Sequence, residues 1–99
     1  MADVPSYVVL WSKKARESLI VLGKKLRRRG TAGVLARILR QLSARLRDNP
    51  VDVGEPYRTK GQIEERLAVH GFLSIDFAVD KDKHLVLVRT CSTLSGPGI

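Results

Sequence analysis

Ninety-nine residues, 43% of them apolar, are enough for one hydrophobic core and argue against a chain that stays disordered. No apolar run approaches the roughly 20 residues that cross a bilayer; a single cysteine, Cys91, excludes an internal disulfide, and with only two histidines a structural zinc site is not expected. The formal charge of +8 is unevenly placed: residues 12–47 hold twelve lysines and arginines against one acid, Glu17, whereas residues 61–99 hold four bases and five acids.

Pro5 to Trp11 reads as a first strand, because Tyr7, Val8, Val9, Leu10 and Trp11 are the aromatic, β-branched or large apolar types that suit a half-buried pleated surface. Ser12 is a good N-cap for the segment that follows. Ala15, Leu19, Leu22 and Leu26 recur at helical spacing and share one face. Gly30 is a natural stop, preceded by Arg27, Arg28 and Arg29, which complement the negative end of a helix dipole. Thr31 is placed to cap a second helix with an apolar stripe of Leu35, Ile38, Leu39, Leu42 and Leu46, and Asp48-Asn49-Pro50 ends it. The tight Gly30-Thr31 link predicts two antiparallel neighbours.

Val51 to Gly61 contains two glycines and a proline and reads as a loop. Gln62 to His70 carries Leu67 and Val69 in alternation, and His70-Gly71 resembles a tight hairpin turn. Leu73, Ile75, Phe77 and Val79 alternate with Ser74, Asp76 and Ala78, the clearest strand pattern in the chain. Asp80 to Lys83 is a polar turn, and Leu85 to Val88 an apolar run expected of a strand that is central or covered on both faces. The order β-α-α-β-β-β predicts an α+β domain, with a first strand and an antiparallel helical hairpin packed on one face of a small, mainly antiparallel sheet. A single domain is expected over 1–99, with its core at about 6–93 and a flexible tail at 94–99.

This order and several local patterns resemble the RelE/ParE superfamily of toxin–antitoxin toxins. The first strand ends in Trp11-Ser12 and enters a helix at Lys13-Lys14-Ala15; the second helix ends in Leu46-Arg47-Asp48-Asn49-Pro50; Gly54-Glu55-Pro56 follows; Arg66 to Gly71 is similar to the superfamily's basic second strand and hairpin, and Phe77-Ala78-Val79-Asp80 to the close of its third. The resemblance implies a toxin that cleaves messenger RNA on the ribosome or poisons DNA gyrase, working in the cytoplasm, away from membranes, and neutralised by a cognate antitoxin, with no cofactor and no metal. The nuclease members share a basic second strand, an arginine in the third, another just after the fourth, and often a terminal Tyr or His. Here Arg66 fits the first position, Ser74 stands at the second, and neither Thr90, Ser92, Thr93 and Leu94 after the fourth strand nor the last residues, Gly96, Pro97, Gly98 and Ile99, supply the others. The RNase pattern is thus largely absent. A non-toxic, non-catalytic relative that binds nucleic acid or protein is the alternative.

No catalytic set is evident. Arg66 and Arg89 are candidates for holding a phosphate through the guanidinium fork, and His70 for exchanging a proton near neutral pH. The other readings are a turn residue for His70 and a cross-strand pair with Asp76 for Arg89. Glu65 and Asp76 are weak candidates for a carboxylate pair, and Cys91 reads as a small buried hydrophobe. For an anionic partner the candidates are Lys24, Lys25, Arg27, Arg28 and Arg29 at one helix end, with Arg58, Lys60 and Arg66 beyond; phosphate contacts there make binding steeply salt-dependent. A solvated helix face is the plainer reading of the same charge.

Overall fold

In the computed structural model, which describes residues 6–93, strand β1 (Val8–Trp11) leads into helices α1 (Lys13–Arg28) and α2 (Ala32–Asp48), a 3-10 turn (Pro50–Asp52), and strands β2 (Glu55–Lys60), β3 (Ile63–His70), β4 (Leu73–Asp80) and β5 (Leu85–Thr93). The tail expected at 94–99 lies outside the described residues. The strands form one sheet in the order β1-β5-β4-β3-β2, with β1 parallel to β5 and every other pairing antiparallel. The α+β class and the helical hairpin on one face of the sheet match the expectation from sequence.

One element differs. Glu55–Lys60, read as part of a loop, is the edge strand β2. All six of its residues are exposed, so no apolar alternation marks it. It instead carries edge features: Pro56, the charged Glu55, Arg58 and Lys60, and a bulge that makes Tyr57 the extra residue opposite β3.

Both helix boundaries of α1 have local causes. The Ser12 hydroxyl accepts from the Ala15 N–H at 3.0 Å. At the other end the Thr31 N–H reaches the Leu26 carbonyl at 2.9 Å and the Gly30 N–H reaches that of Arg27 at 3.1 Å, with Gly30 at φ 72. This is a Schellman stop, which needs a residue free to adopt positive φ. Thr31 does not cap α2 with its side chain, contrary to expectation; its hydroxyl turns back to the Leu26 carbonyl at 3.4 Å.

The two stripes close on the sheet. Leu22 and Leu26 of α1 and Leu35, Ile38, Leu42 and Leu46 of α2 are buried with Leu73, Ile75, Phe77, Val79, Val86 and Val88. Each such side chain stabilises the fold by about 1.5–3 kcal/mol. Ile38 packs over the β3–β4 turn so closely that a Cβ on Gly71 would lie 2.7 Å from its Cδ1. The turn itself is Gly71-Phe72, with His70 ending β3.

The other face of the sheet carries no helix. Leu67 and Val69, the alternating pair that marked β3, point to that face and are 49% and 58% exposed; Arg66 and Ala68 point inward. In β5, Val88 pairs with Phe77 and Thr90 with Asp76, so Arg89 is the extra residue of a bulge. The bulge shifts the buried series from Val86 and Val88 to Cys91. β5 is an interior strand, between β1 and β4, but Leu87 is 37% exposed because only one face is covered.

Candidate functional site

The uncovered face holds a charged cluster built on the β5 bulge. Alternation from the buried Val86 and Val88 puts the Arg89 side chain on this face, where Nη1 donates to Glu65 Oε1 at 2.6 Å and Nη2 donates to Asp76 Oδ1 at 2.9 Å and to the Tyr57 hydroxyl at 2.6 Å. Tyr57 in turn donates to Asp76 Oδ1 at 2.8 Å, and Arg58 Nε lies 3.3 Å from Glu65 Oε2. The hydrogen bond to Asp76 above all holds the Arg89 guanidinium far above its usual range. Partial desolvation, then the bond to Asp76, push the Tyr57 phenol up. Two guanidiniums face two carboxylates, so the cluster is close to neutral and both acids are occupied. The sequence reading that paired Arg89 with Asp76 holds, and Glu65 joins them.

Arg66 lies on the opposite face. It is buried, with Nε donating to the Val53 carbonyl and Nη2 to the Gly54 carbonyl, each at 2.9 Å, and Nη1 paired with Glu64. The guanidinium fastens the approach to β2 onto β3. His70, also on the helix side, meets Gln41 of α2 through Nε2 at 3.0 Å. Arg66, His70 and Arg89 therefore do not form one site. Residues 66 and 70 share a parity along β3 that faces the helices, whereas Arg89, next to the buried Val88, falls on the other face of β5.

The cationic end of α1 is different in kind. Lys24, Lys25, Arg27, Arg28 and Arg29 are all exposed around the last turn, with only Leu26 turned inward. Lys24, Lys25, Arg27 and Arg28 form no ion pair among the described residues. Arg58 and Lys60 are exposed on β2 at the far edge of the sheet, and Lys60 pairs with Ile63, which pairs with Asp80, at the end opposite Thr93. The structure gathers the helix-end cations but does not join Arg58 and Lys60 to them. Among the described residues no group of His, Cys, Asp and Glu could hold a metal ion, and no helix is long and apolar enough to cross a membrane.

No protein-family model and no curated protein matches the sequence. Solved structures do. A chain of the archaeal RelE–RelB complex from Pyrococcus horikoshii OT3 superposes with a TM-score of 0.68 at 15% identity, over 88% of this chain and 93% of that one. A chain of the toxin–antitoxin complex RelBE2 from Mycobacterium tuberculosis gives 0.67 at 18% identity, over 97% and 100%. The fold is that of the RelE toxins. At these identities the likeness concerns the backbone.

Sequence reasoning missed Tyr57 and Glu65 as parts of the Arg89 cluster, and the structural role of Arg66. The signal for the first was weak: Tyr57 stands in a segment without alternation, and its meeting with Arg89 depends on two bulges. For Arg66, the inward phase of β3 was masked by Leu67 and Val69, which are apolar yet exposed.

Proposed function

We propose that this chain is a RelE-like toxin that works in the cytoplasm by binding a large polyanionic target, ribosome-bound message or gyrase–DNA, through the cationic end of α1, and that a small antitoxin neutralises it. The observation that carries the reading is the superposition of nearly the whole chain on members of two toxin–antitoxin complexes. Lys24, Lys25, Arg27 and Arg28, which form no ion pair among the described residues, support the binding half, because focused positive charge attracts and steers polyanions. Inducing the gene alone tests it. Growth arrest is expected, with a fall in labelled methionine incorporation if the target is the ribosome, or a change in plasmid supercoiling if it is gyrase. No effect on growth, incorporation or supercoiling removes the reading.

A second reading, a binder without RNA chemistry, is favoured by the state of the arginines. Arg66 is buried in backbone contacts and Arg89 is engaged by Glu65 and Asp76, so neither guanidinium presents an open fork to a phosphate. It predicts salt-sensitive binding of RNA or DNA with no cleavage. Ribosome-dependent cuts that vanish in Arg89→Ala, with folding intact, count against it.

A further inference from the structure

β3 turns its apolar side to solvent. Toward the helices it presents Glu64, Arg66, Ala68 and His70; away from them it presents Ile63, Leu67 and Val69, with Glu65 the one charged residue in that row. Strand pairing carries the pattern across the sheet. Leu10 of β1 lies beside Leu87 of β5, Leu87 beside Ala78 of β4, and Ala78 beside Glu65; in the next row Val8 lies beside Leu85. Among the described residues nine large apolar side chains stay exposed; Ile20 and Val21 lie on α1, and the other seven are on this face. A sheet covered on one side ordinarily sets polar residues toward water, and an apolar patch of this extent marks an interface.

Charge decides what can cover it. The strand residues of this face hold three bases, Arg58, Lys60 and Arg89, against four acids, Glu55, Glu65, Asp76 and Asp80, in a chain of formal charge +8. The excess of cations lies on the helix side, where every lysine and arginine of residues 12–47 is exposed, so a polyanion is drawn there and not to the sheet. The sheet face offers both signs in near balance, with Arg89 between Glu65 and Asp76, and so complements another copy of itself. Pairing through it also sends the cationic helices of the two copies to opposite sides, where they repel least. The area suffices. The five strands stand about 4.8 Å apart and rise about 3.3 Å per residue, so with four to nine residues in each the face measures roughly 550 Å². Two such faces in contact bury about 1,100 Å², just above the roughly 1,000 Å² that a specific interface needs.

We infer that two copies of this chain pair through the uncovered face of the sheet, about a two-fold axis, with the sheets stacked about 10 Å apart and Leu10, Leu67, Val69 and Leu87 between them. The product has four layers, helix, sheet, sheet and helix. It covers the Arg89 cluster and leaves the cationic end of α1 open on both outer sides. An area so near the lower limit gives a dimer of modest affinity, with a Kd of about a micromolar or weaker.

The test is sedimentation velocity of the full chain, freed of nucleic acid, from about 1 µM to about 1 mM. A shift from one copy to two is expected as concentration rises. Leu67→Lys changes a half-exposed side chain that enters the interface twice; it is expected to keep the melting temperature measured in dilute solution and to weaken the dimer about tenfold or more, which corresponds to about 1.4 kcal/mol. Val69→Thr keeps the β-branch and serves where the lysine disturbs folding; it is expected to weaken the dimer by a factor of about three. Val21→Gln, on α1, should leave it unchanged. Added salt should tighten the pair, because it screens the repulsion between two positively charged copies. The proposal is overturned by a single chain's mass at every concentration, by association that neither Leu67→Lys nor Val69→Thr weakens, by loss of the dimer in Val21→Gln, or by a dimer that salt dissolves, as it would copies bridged by carried-over nucleic acid.

Discussion

Arg66 donates through Nη2 to the carbonyl of Gly54 at 2.9 Å, and with its bond to the Val53 carbonyl this joins the start of β2 to β3 across the helix-covered face. A guanidinium in this position has little access to water, and its donors have specific acceptors. Removing it takes the donor from the Val53 and Gly54 carbonyls and leaves Glu64 with Lys81 alone, 3.7 Å away. Arg66→Ala is therefore expected to destabilise the fold by about 3 kcal/mol, read as a lower urea midpoint. Arg66→Lys should recover less than half of that, since an ammonium cannot reproduce the planar fork. A wild-type midpoint in Arg66→Ala would show that the lock contributes nothing.

Gly54 and Gly30 both have positive φ, 68 and 72, but their surroundings differ. A Cβ on Gly54 would lie 2.0 Å from the Leu67 carbonyl oxygen, whereas nothing lies within 4 Å of one on Gly30. Gly30→Ala should cost about 1 kcal/mol, the conformational penalty alone. Gly54→Ala must also displace backbone of β3, and is expected to fold poorly or lose several times as much. Thermal melts of the two variants side by side decide it; equal losses would contradict the close approach.

Arg89, Asp76, Glu65 and Tyr57 form a network open to solvent on one side, so its worth is moderate. Arg89→Ala and Asp76→Ala should each cost roughly 1 kcal/mol after allowance for screening, with a coupling of at least about 0.5 kcal/mol in the double-mutant cycle because the two groups touch. Additive losses would mean that the pair carries no energy of its own. If the protein acts by binding alone, Arg89→Ala should leave growth arrest intact.

Replacing Lys24, Lys25, Arg27 and Arg28 together by glutamine should barely alter folding, since each is exposed and contributes only a few tenths of a kcal/mol to the helix dipole. Binding to single-stranded RNA should weaken, and the slope of log affinity against log salt should flatten by about 0.7 for each phosphate contact removed. An unchanged slope would place the nucleic-acid surface elsewhere, with Arg58 and Lys60 next to be replaced.

Burial pushes the Cys91 thiol above its ordinary range, so at neutral pH it stays protonated and unreactive. Native protein should alkylate with iodoacetamide far more slowly than urea-unfolded protein. Because the folded-state value is the raised one, the contribution of Cys91 to stability is complete below the unfolded thiol's titration and declines as pH rises through the folded value. Cys91→Ala should therefore flatten the alkaline limb of the stability curve. Rapid labelling of the native chain would argue against the burial of this thiol.

The helices were legible because their information is local. Ser12, Gly30 and Pro50 mark ends through the geometry of a few neighbouring bonds, and a leucine every third or fourth position identifies the buried stripe without reference to what it meets. The crowding of cations on residues 12–47 is likewise a property of the chain read in one dimension, and helix formation around a leucine stripe leaves them outside. The faces of the strands are another matter. Alternation tells that β3 has two sides, not which one the helices cover, and here Leu67 and Val69 lost that place to Arg66 and Ala68. The parallel joining of β1 to β5, the strand formed by exposed Glu55–Lys60, and the meeting of Arg89 with Tyr57 and Glu65 all depend on residues far apart in sequence. Such contacts become favourable only after the sheet has closed, which is why assembly in three dimensions separated Arg66 from Arg89 and ended the pairing of β1 with β5 at Val88.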